Sequence, residues 1–229
     1  MQYIWLWGWH VLTSIIENNS RKIKKILILE KHYEKVKKII NNVQIEFASE
    51  NTLNKMFGLN HQGVAIYVEQ IKFWELNEWI EKQNHKSFLI ACDLIEDPHN
   101  LGAIIRTGAA FGANGLLITK KKSAPFLGSL AKSAAGGLEF LDIIQVSNLV
   151  NSLQKLQQNN FHVYGLDERG NNIWNKKDKC VLVLGQEGNG LRQLTKKTCD
   201  DTISINTKKN FGVLNVSVAA GIAISRLLD

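Results

Sequence analysis

The feature that most constrains this chain is a set of short, almost purely apolar runs. Phe88-Leu89-Ile90-Ala91-Cys92 and Cys180-Val181-Leu182-Val183-Leu184 carry no charged residue, and residues 115–119, 143–146, 163–166 and 202–205 are weaker versions. A strand reads as continuously apolar when both its faces are buried, the condition of a parallel sheet covered by helices. Between these runs, residues 101–111, 130–135, 149–159, 191–197 and 216–228 have helical spacing. The alternation predicts an α/β fold with a largely parallel sheet from residue 87 onward.

A smaller alternation precedes it. Strands are expected at 26–29, 43–47 and 63–68. Helices are expected after Trp7-Gly8-Trp9, ending near Asn18-Asn19, and at 32–40 and 52–57. Residues 73–83, with Trp74 and Trp79, read as a polar helical connector that docks. The expected organisation is therefore a unit at 1–70, a connector at 71–86 and a larger unit at 87–229, with no internal repeat.

Composition narrows the function classes. At 229 residues, 45% hydrophobic and 21% charged, the chain can bury a core without disulfides and is not a disordered or collagenous sequence. Cys92, Cys180 and Cys199 are odd in number, far apart and set in or beside apolar runs. They read as buried free thiols in a reducing, cytoplasmic setting. Neither CxxC nor HExxH occurs, so no metal site is expected. No apolar stretch approaches the roughly 18 residues of a membrane span. Residues 1–7 lack the basic flank and small-residue cleavage site of an export signal. The 28 Lys+Arg against 21 Asp+Glu, a net charge of +7, favour nucleic acid as partner. Lys makes up 23 of those 28, and an AT-rich coding sequence would account for that mix equally well.

In a parallel sheet, ligands bind beyond the carboxyl ends of the strands. Three loops stand out there. The first runs from Asp97-Pro98-His99-Asn100 to Arg106-Thr107. Asn100 can cap the following helix. Arg106 is either a surface residue or a rigidly held guanidinium for a phosphate. The second is Gly185-Gln186-Glu187-Gly188-Asn189-Gly190. It is either a flexible turn or a backbone cradle for a ligand, with Glu187 its one charge. It matches neither a P-loop nor a dinucleotide fingerprint. The third spans 205–218, where Asn215 and Ser217 can cap the closing helix. His99 reads as a hydrogen-bonded loop residue rather than a base. No nucleophile–base pair and no paired acids appear, which disfavours hydrolysis and redox chemistry.

Taken together, Asp97 to Thr107, Leu184-Gly185-Gln186-Glu187-Gly188-Asn189-Gly190-Leu191-Arg192 and Leu214-Asn215-Val216-Ser217-Val218-Ala219-Ala220-Gly221-Ile222 resemble the three motifs of the SpoU/TrmH family. That family is the SPOUT class of RNA 2′-O-ribose methyltransferases. Gly8-Trp9-His10-Val11 and His61-Gln62-Gly63-Val64 resemble markers of the L30e-like RNA-binding domain that precedes the catalytic domain in members acting on ribosomal RNA. The resemblance implies an L30e-like substrate-binding domain at 1–70 and a SPOUT α/β-knot domain at 87–229, with a trefoil knot. It implies S-adenosyl-L-methionine as cofactor, held by Gly185, Ile205 and Leu214. Asn100, Arg106, Glu187 and Asn215 match the polar residues of the catalytic site. A homodimer is implied, with Arg106 serving the partner's site, and no metal.

The implied substrate is a guanosine of 23S rRNA, in the peptidyl-transferase P loop. The alternatives are a tRNA guanosine, or a non-catalytic role in RNA binding or ribosome assembly. Arg106 is the family's proposed base. A guanidinium stays protonated in proteins, so binding a phosphate and stabilising a developing alkoxide is its expected role. Glu187 and Asn215 are expected to orient Arg106 or the ribose hydroxyl. Two positions depart from the third motif. Ile205-Asn206-Thr207 stands where Ile-Pro-Met is usual, and Val213-Leu214-Asn215 where Ser-Leu-Asn is usual. In the front unit, Lys22, Lys24, Lys25, Lys35, Lys37 and Lys38 form either an RNA face or a solvated charged surface.

Overall fold

Two hydrogen-bonded sheets account for the apolar runs in the computed structural model, which describes residues 2–120, 128–208 and 214–228. The smaller is formed by β1 (Tyr3–Trp7), β2 (Ile23–Ile28), β3 (Gln44–Phe47) and β4 (Val64–Glu69), in the order β1-β4-β2-β3. Its helices are α1 (Trp9–Asn18), α2 (Tyr33–Ile39) and α3 (Glu50–Phe57). Strand β1 has no counterpart in the sequence-based expectations. It pairs antiparallel with β4, with Leu6 opposite Ile66. Period-2 alternation sends Leu6 into the core under α1 and α2, while Trp5 and Trp7 pack on the opposite face with Phe57 of α3.

The larger sheet begins earlier than the connector reading allowed. Phe73–Trp74 is not helical: it forms β5 and pairs parallel with β8 (Asp142–Val146) at the sheet edge. Helix α4 (Leu76–Glu81) follows, and its Trp79 is fully buried with Nε1 donating to Asp142 Oδ2 at 3.1 Å. Segment 73–81 is thus part of the large unit's core.

The remaining elements are β6 (Ser87–Cys92), α5 (Pro98–Ala110), β7 (Gly115–Thr119), α6 (Gly128–Ser133), α7 (Leu149–Gln158), β9 (His162–Asn171), β10 (Lys179–Leu184), α8 (Gln193–Thr198), β11 (Asp201–Ile203) and α9 (Val216–Leu228). The sheet order is β11-β9-β10-β6-β7-β8-β5, and every strand pair in it is parallel. The double-sided burial inferred from the apolar runs is literal. Phe88, Ile90 and Cys92 face a layer containing α5 and α9, while Leu89 and Ala91 face α4 and α7. Cys92 and Cys180 are buried and Cys199 is half-buried, all three as free thiols. Burial pushes Cys180 and Cys199 up to about 12, so both stay protonated at neutral pH.

The two sheets share one core. Leu6, Leu12, Ile15 and Ile66 of the small sheet's unit belong to the same apolar cluster as Leu101, Ile104, Leu130 and Leu138 of the large one. A buried ion pair crosses the junction. Arg21 bridges Glu139, which lies in a 3₁₀ turn (Gly137–Glu139); the two side chains are 5% and 2% exposed. Arg21 also donates to the Glu69 carbonyl, and Ser20 Oγ donates to Glu139.

Two outcomes follow from this packing. Trp79→Ala should cost about 3–5 kcal/mol in chemical denaturation; a loss below about 1 kcal/mol would mean α4 is only laid on the surface. Glu139→Ala strands the buried Arg21 charge and should cost about 3–5 kcal/mol, whereas the double change Arg21→Met with Glu139→Leu should cost clearly less.

Candidate functional site

The topology brings the first two loops together. From β6 the chain runs outward through β7 and β8, then returns to build β9 and β10 on the other side of β6. This reversal lies between β6 and β10, whose register ends with Leu184 opposite Cys92. A ligand crevice is expected beyond such a switch point.

The loop after β10 is folded tightly on itself. Gln186 N donates to the Gly190 carbonyl at 3.1 Å, and Gly190 N to the Gln186 carbonyl at 2.8 Å. A side chain on Gly185 would overlap the main chain of Gly190 and Leu191, so only glycine fits there. Gly188 and Gly190 hold φ of 81° and 64°, the left-handed region that closes the turn. The exit of the loop is pinned to the end of β6. Asp93, buried, accepts from Arg192 Nε at 2.7 Å and from Arg192 N at 3.2 Å. Sequence reasoning missed this pair; a single acid directly after the fully apolar strand β6 was the available signal.

In α5 the structure corrects one expectation. Asp97, not Asn100, caps the helix, with Oδ1 accepting from His99 N at 2.9 Å and Pro98 in the first turn. His99 lies in that first turn and hydrogen-bonds Ser133 Oγ through Nδ1 at 3.1 Å. Asn100 is buried inside the helix, and this frees its amide for longer-range contacts. Asn100 Nδ2 donates to Glu187 Oε2 at 3.0 Å. Asn215 Nδ2 donates to Asn100 Oδ1 and to Glu187 Oε1, each at 3.1 Å. The three side chains close a ring of hydrogen bonds joining all three loops. Asn215 also caps α9, its Oδ1 accepting from Ser217 N at 2.9 Å and from Ser217 Oγ at 2.6 Å.

The ring stands at the edge of a cleft of about 630 Å³, lined by the 185–190 loop, Leu166, Leu184, Ile205 and Leu214. Gly185, Ile205 and Leu214 are therefore brought to one wall system. Asp167, Glu168 and Arg169 of β9 add charged groups that the sequence reading did not single out. Burial works against ionisation of Asp167. Lys196, 2.8 Å away, and the Arg169 main-chain N–H outweigh it and hold the carboxyl below the usual range.

Arg106 is not part of the ring. It lies six residues beyond Asn100, about 9 Å further along the axis and on a different face of α5. Its side chain is exposed and makes no hydrogen bond or ion pair among the described residues. Within one chain, Glu187 and Asn215 bond each other and Asn100 rather than Arg106, which leaves the ribose hydroxyl or a partner's Arg106 as the group they would orient. Val213 lies outside the described residues. Among the described residues, no cluster of three or more His, Cys, Asp or Glu could hold a metal ion.

Comparison with known proteins matches this architecture. Residues 87–225 match the SpoU rRNA Methylase family, and residues 5–74 match a family described as RNA 2'-O ribose methyltransferase substrate binding. The chain is similar to the 23S rRNA (guanosine-2'-O-)-methyltransferase RlmB of Haemophilus influenzae, 35% identical over 97% of this chain and 96% of that protein. It is 40% identical to an uncharacterized tRNA/rRNA methyltransferase of Synechocystis over 72% of this chain, but spans only 44% of that longer protein. Among solved structures, the SpoU methyltransferase AviRb from Streptomyces viridochromogenes, in complex with AdoMet, superposes with a TM-score of 0.83. Sequence identity there is 18%, over 99% of this chain and 89% of that one.

The loop geometry makes a sharp contrast testable. Gly185→Ala should lower thermal stability by at least about 2 kcal/mol through overpacking. Gly188→Ala, with open space around the added Cβ, should cost only the left-handed penalty of about 1 kcal/mol. Equal costs would show that the loop opens freely.

Proposed function

This chain belongs to the SpoU rRNA methylase family, and on that premise we propose that it methylates the 2′-hydroxyl of a guanosine in 23S rRNA, using S-adenosylmethionine. The observation that carries the reading is the Asn100–Glu187–Asn215 ring at the edge of the glycine-loop cleft. Similarity to the 23S rRNA methyltransferases over nearly the whole chain, front unit included, favours rRNA over tRNA.

The cleft's own groups suit this cofactor. Its volume is in the range of small-molecule sites. Main-chain groups of the 185–190 loop and the apolar Leu166, Ile205 and Leu214 fit an adenosine, and the carboxylates of Glu168 and Glu187 suit a sulfonium and an ammonium. When bound, it supplies a methyl group on a good leaving group. What remains is to align a poor nucleophile and remove its proton. Glu187 is held by two amide donors, one to each oxygen, and keeps free lone pairs for the ribose hydroxyl. Asn100, fixed inside α5, sets the height of that carboxylate.

Arg106 acts as an electrostatic clamp on the RNA phosphate and the developing alkoxide. Its distance from the ring of its own chain supports a homodimer in which it serves the partner's cleft. Small residues beside it on α5, Ala103 and Ala110, and the exposed Val218 on α9 leave a surface suited to that contact. The chain leaves β10 for the sheet edge at β11 and returns to α9 beside α5, a path that supports the trefoil knot. The reading places the protein in the cytoplasm, in keeping with its three free thiols. Among the described residues no helix is long and apolar enough to cross a membrane.

Transfer of label from S-adenosylmethionine to unmodified 23S rRNA and to tRNA, followed by mapping of ribose methylation, tests the proposal. Label is expected on one rRNA guanosine, in the peptidyl-transferase P loop. Arg106→Ala should lower kcat about 10²–10³-fold. Label on tRNA alone would overturn the substrate. Absence of both label and cofactor binding would favour a non-catalytic RNA-binding role.

A further inference from the structure

The small sheet has one face fully covered and one only half covered. Helices α1 and α2 close the first. On the second, α3 packs Leu53 and Phe57 against Leu27 and Ala65, at the end where Trp7 lies. Beyond α3, no described helix lies over Tyr3, Trp5 and Tyr67, and all three stay half-exposed.

These rings form a continuous row. Tyr3 and Tyr67 have centroids 5.5 Å apart, Tyr67 and Trp5 5.0 Å, Trp5 and Phe57 5.5 Å, and Phe57 and Trp7 5.3 Å. Positive charge is laid along it. A register irregularity between Ile23 and Lys25 brings Lys24 to this face, its Nζ 5.6 Å from the Tyr3 ring centre and 5.9 Å from that of Tyr67. Lys25 Nζ lies 5.6 Å from the Trp5 ring centre and is paired with Glu46. Lys24 has no carboxylate partner among the described residues. The structure thus divides the lysines that the sequence grouped: Lys35 and Lys37 lie on α2, across the sheet, over Trp9 and Tyr33.

The row also has a direction. At its far end Trp7 packs against Gly128 of α6, where any side chain would overlap the indole. Helix α6 packs in turn on α5, with Ser133 against Gly102 and His99. The row therefore leads from an open sheet edge to the helix that carries Asn100.

Flat rings in a half-open row with interleaved ammonium groups match the chemistry of unpaired nucleobases and their phosphates. We propose that this face binds a single-stranded segment of the RNA substrate by base stacking on Tyr3, Tyr67 and Trp5, with Lys24 on the backbone, and leads it toward the cleft. The inference rests on the RNA methyltransferase reading and adds where, and in what form, the RNA is held.

Fluorescence anisotropy of a labelled oligoadenylate of about ten nucleotides, titrated with the full chain, tests it. Tyr67→Ala should weaken binding about tenfold, while Tyr67→Phe, which keeps the ring, should retain it. Lys24→Gln, a change at an exposed position, should weaken binding a few-fold and flatten its salt dependence. Unchanged affinity in Tyr67→Ala overturns the proposal, whatever Lys24→Gln does. So does equal affinity for an RNA duplex, or a dimer of this chain that Tyr67→Ala dissolves. Methyl transfer to 23S rRNA by the unaltered chain is measured alongside. Transfer with no Tyr67 effect on binding sinks the sheet-face proposal alone. Ring-dependent binding with no transfer sinks the methyltransferase reading alone.

Discussion

Parallel pairing of β10 with β6 is the contact on which the site depends. It fixes the end of one apolar strand beside the end of another, residue for residue, from Lys179 opposite Ser87 to Leu184 opposite Cys92. Everything polar then falls just past that register. Asp93 meets Arg192, and the 185–190 loop folds back because its first residue has no side chain. Asn100 comes within reach of Glu187 although 87 residues separate them. A slip of one residue would turn every buried side chain of β10 to the other face. The double-sided core therefore protects the geometry of the loops above it.

The front unit is joined to this frame as part of the core rather than as an appendage. Arg21 and Glu139 neutralise each other out of water, and breaking such a pair is costly even though forming it gains little. Glu139 ends a 3₁₀ turn whose first residue, Gly137, packs closely on α5: a Cβ there would sit 3.1 Å from the Arg106 Cα. The junction with the front unit and the exposed Arg106 are thus mechanically adjacent. A shared core of this kind gives a rigid spacing between the aromatic sheet face and the cleft.

Much of this was legible in the chain. Uninterrupted apolar runs gave β6, β7 and β10 because two buried faces leave no polar position. Capping chemistry gave the start of α9. The failures have physical reasons. β1 alternates large aromatic and aliphatic residues, so both its faces are apolar and no polar position marks a strand. β5 is two residues long, too short for any periodicity. Asn100 looked like a cap because it sits near a helix start, but Asp97 precedes Pro98 and takes that role, leaving Asn100 for the ring.

Most element types and the apolar layers were written in local spacing, because burial on one face or two leaves its own periodicity. Which side chains meet was not, since that depends on the strand order. Asn100, Glu187 and Asn215 form a ring while Arg106 stays apart, since the strand order sets the loops side by side and six residues of helix carry Arg106 away. Asp93 and Arg192, 99 residues apart, could be paired by nothing shorter than the sheet itself.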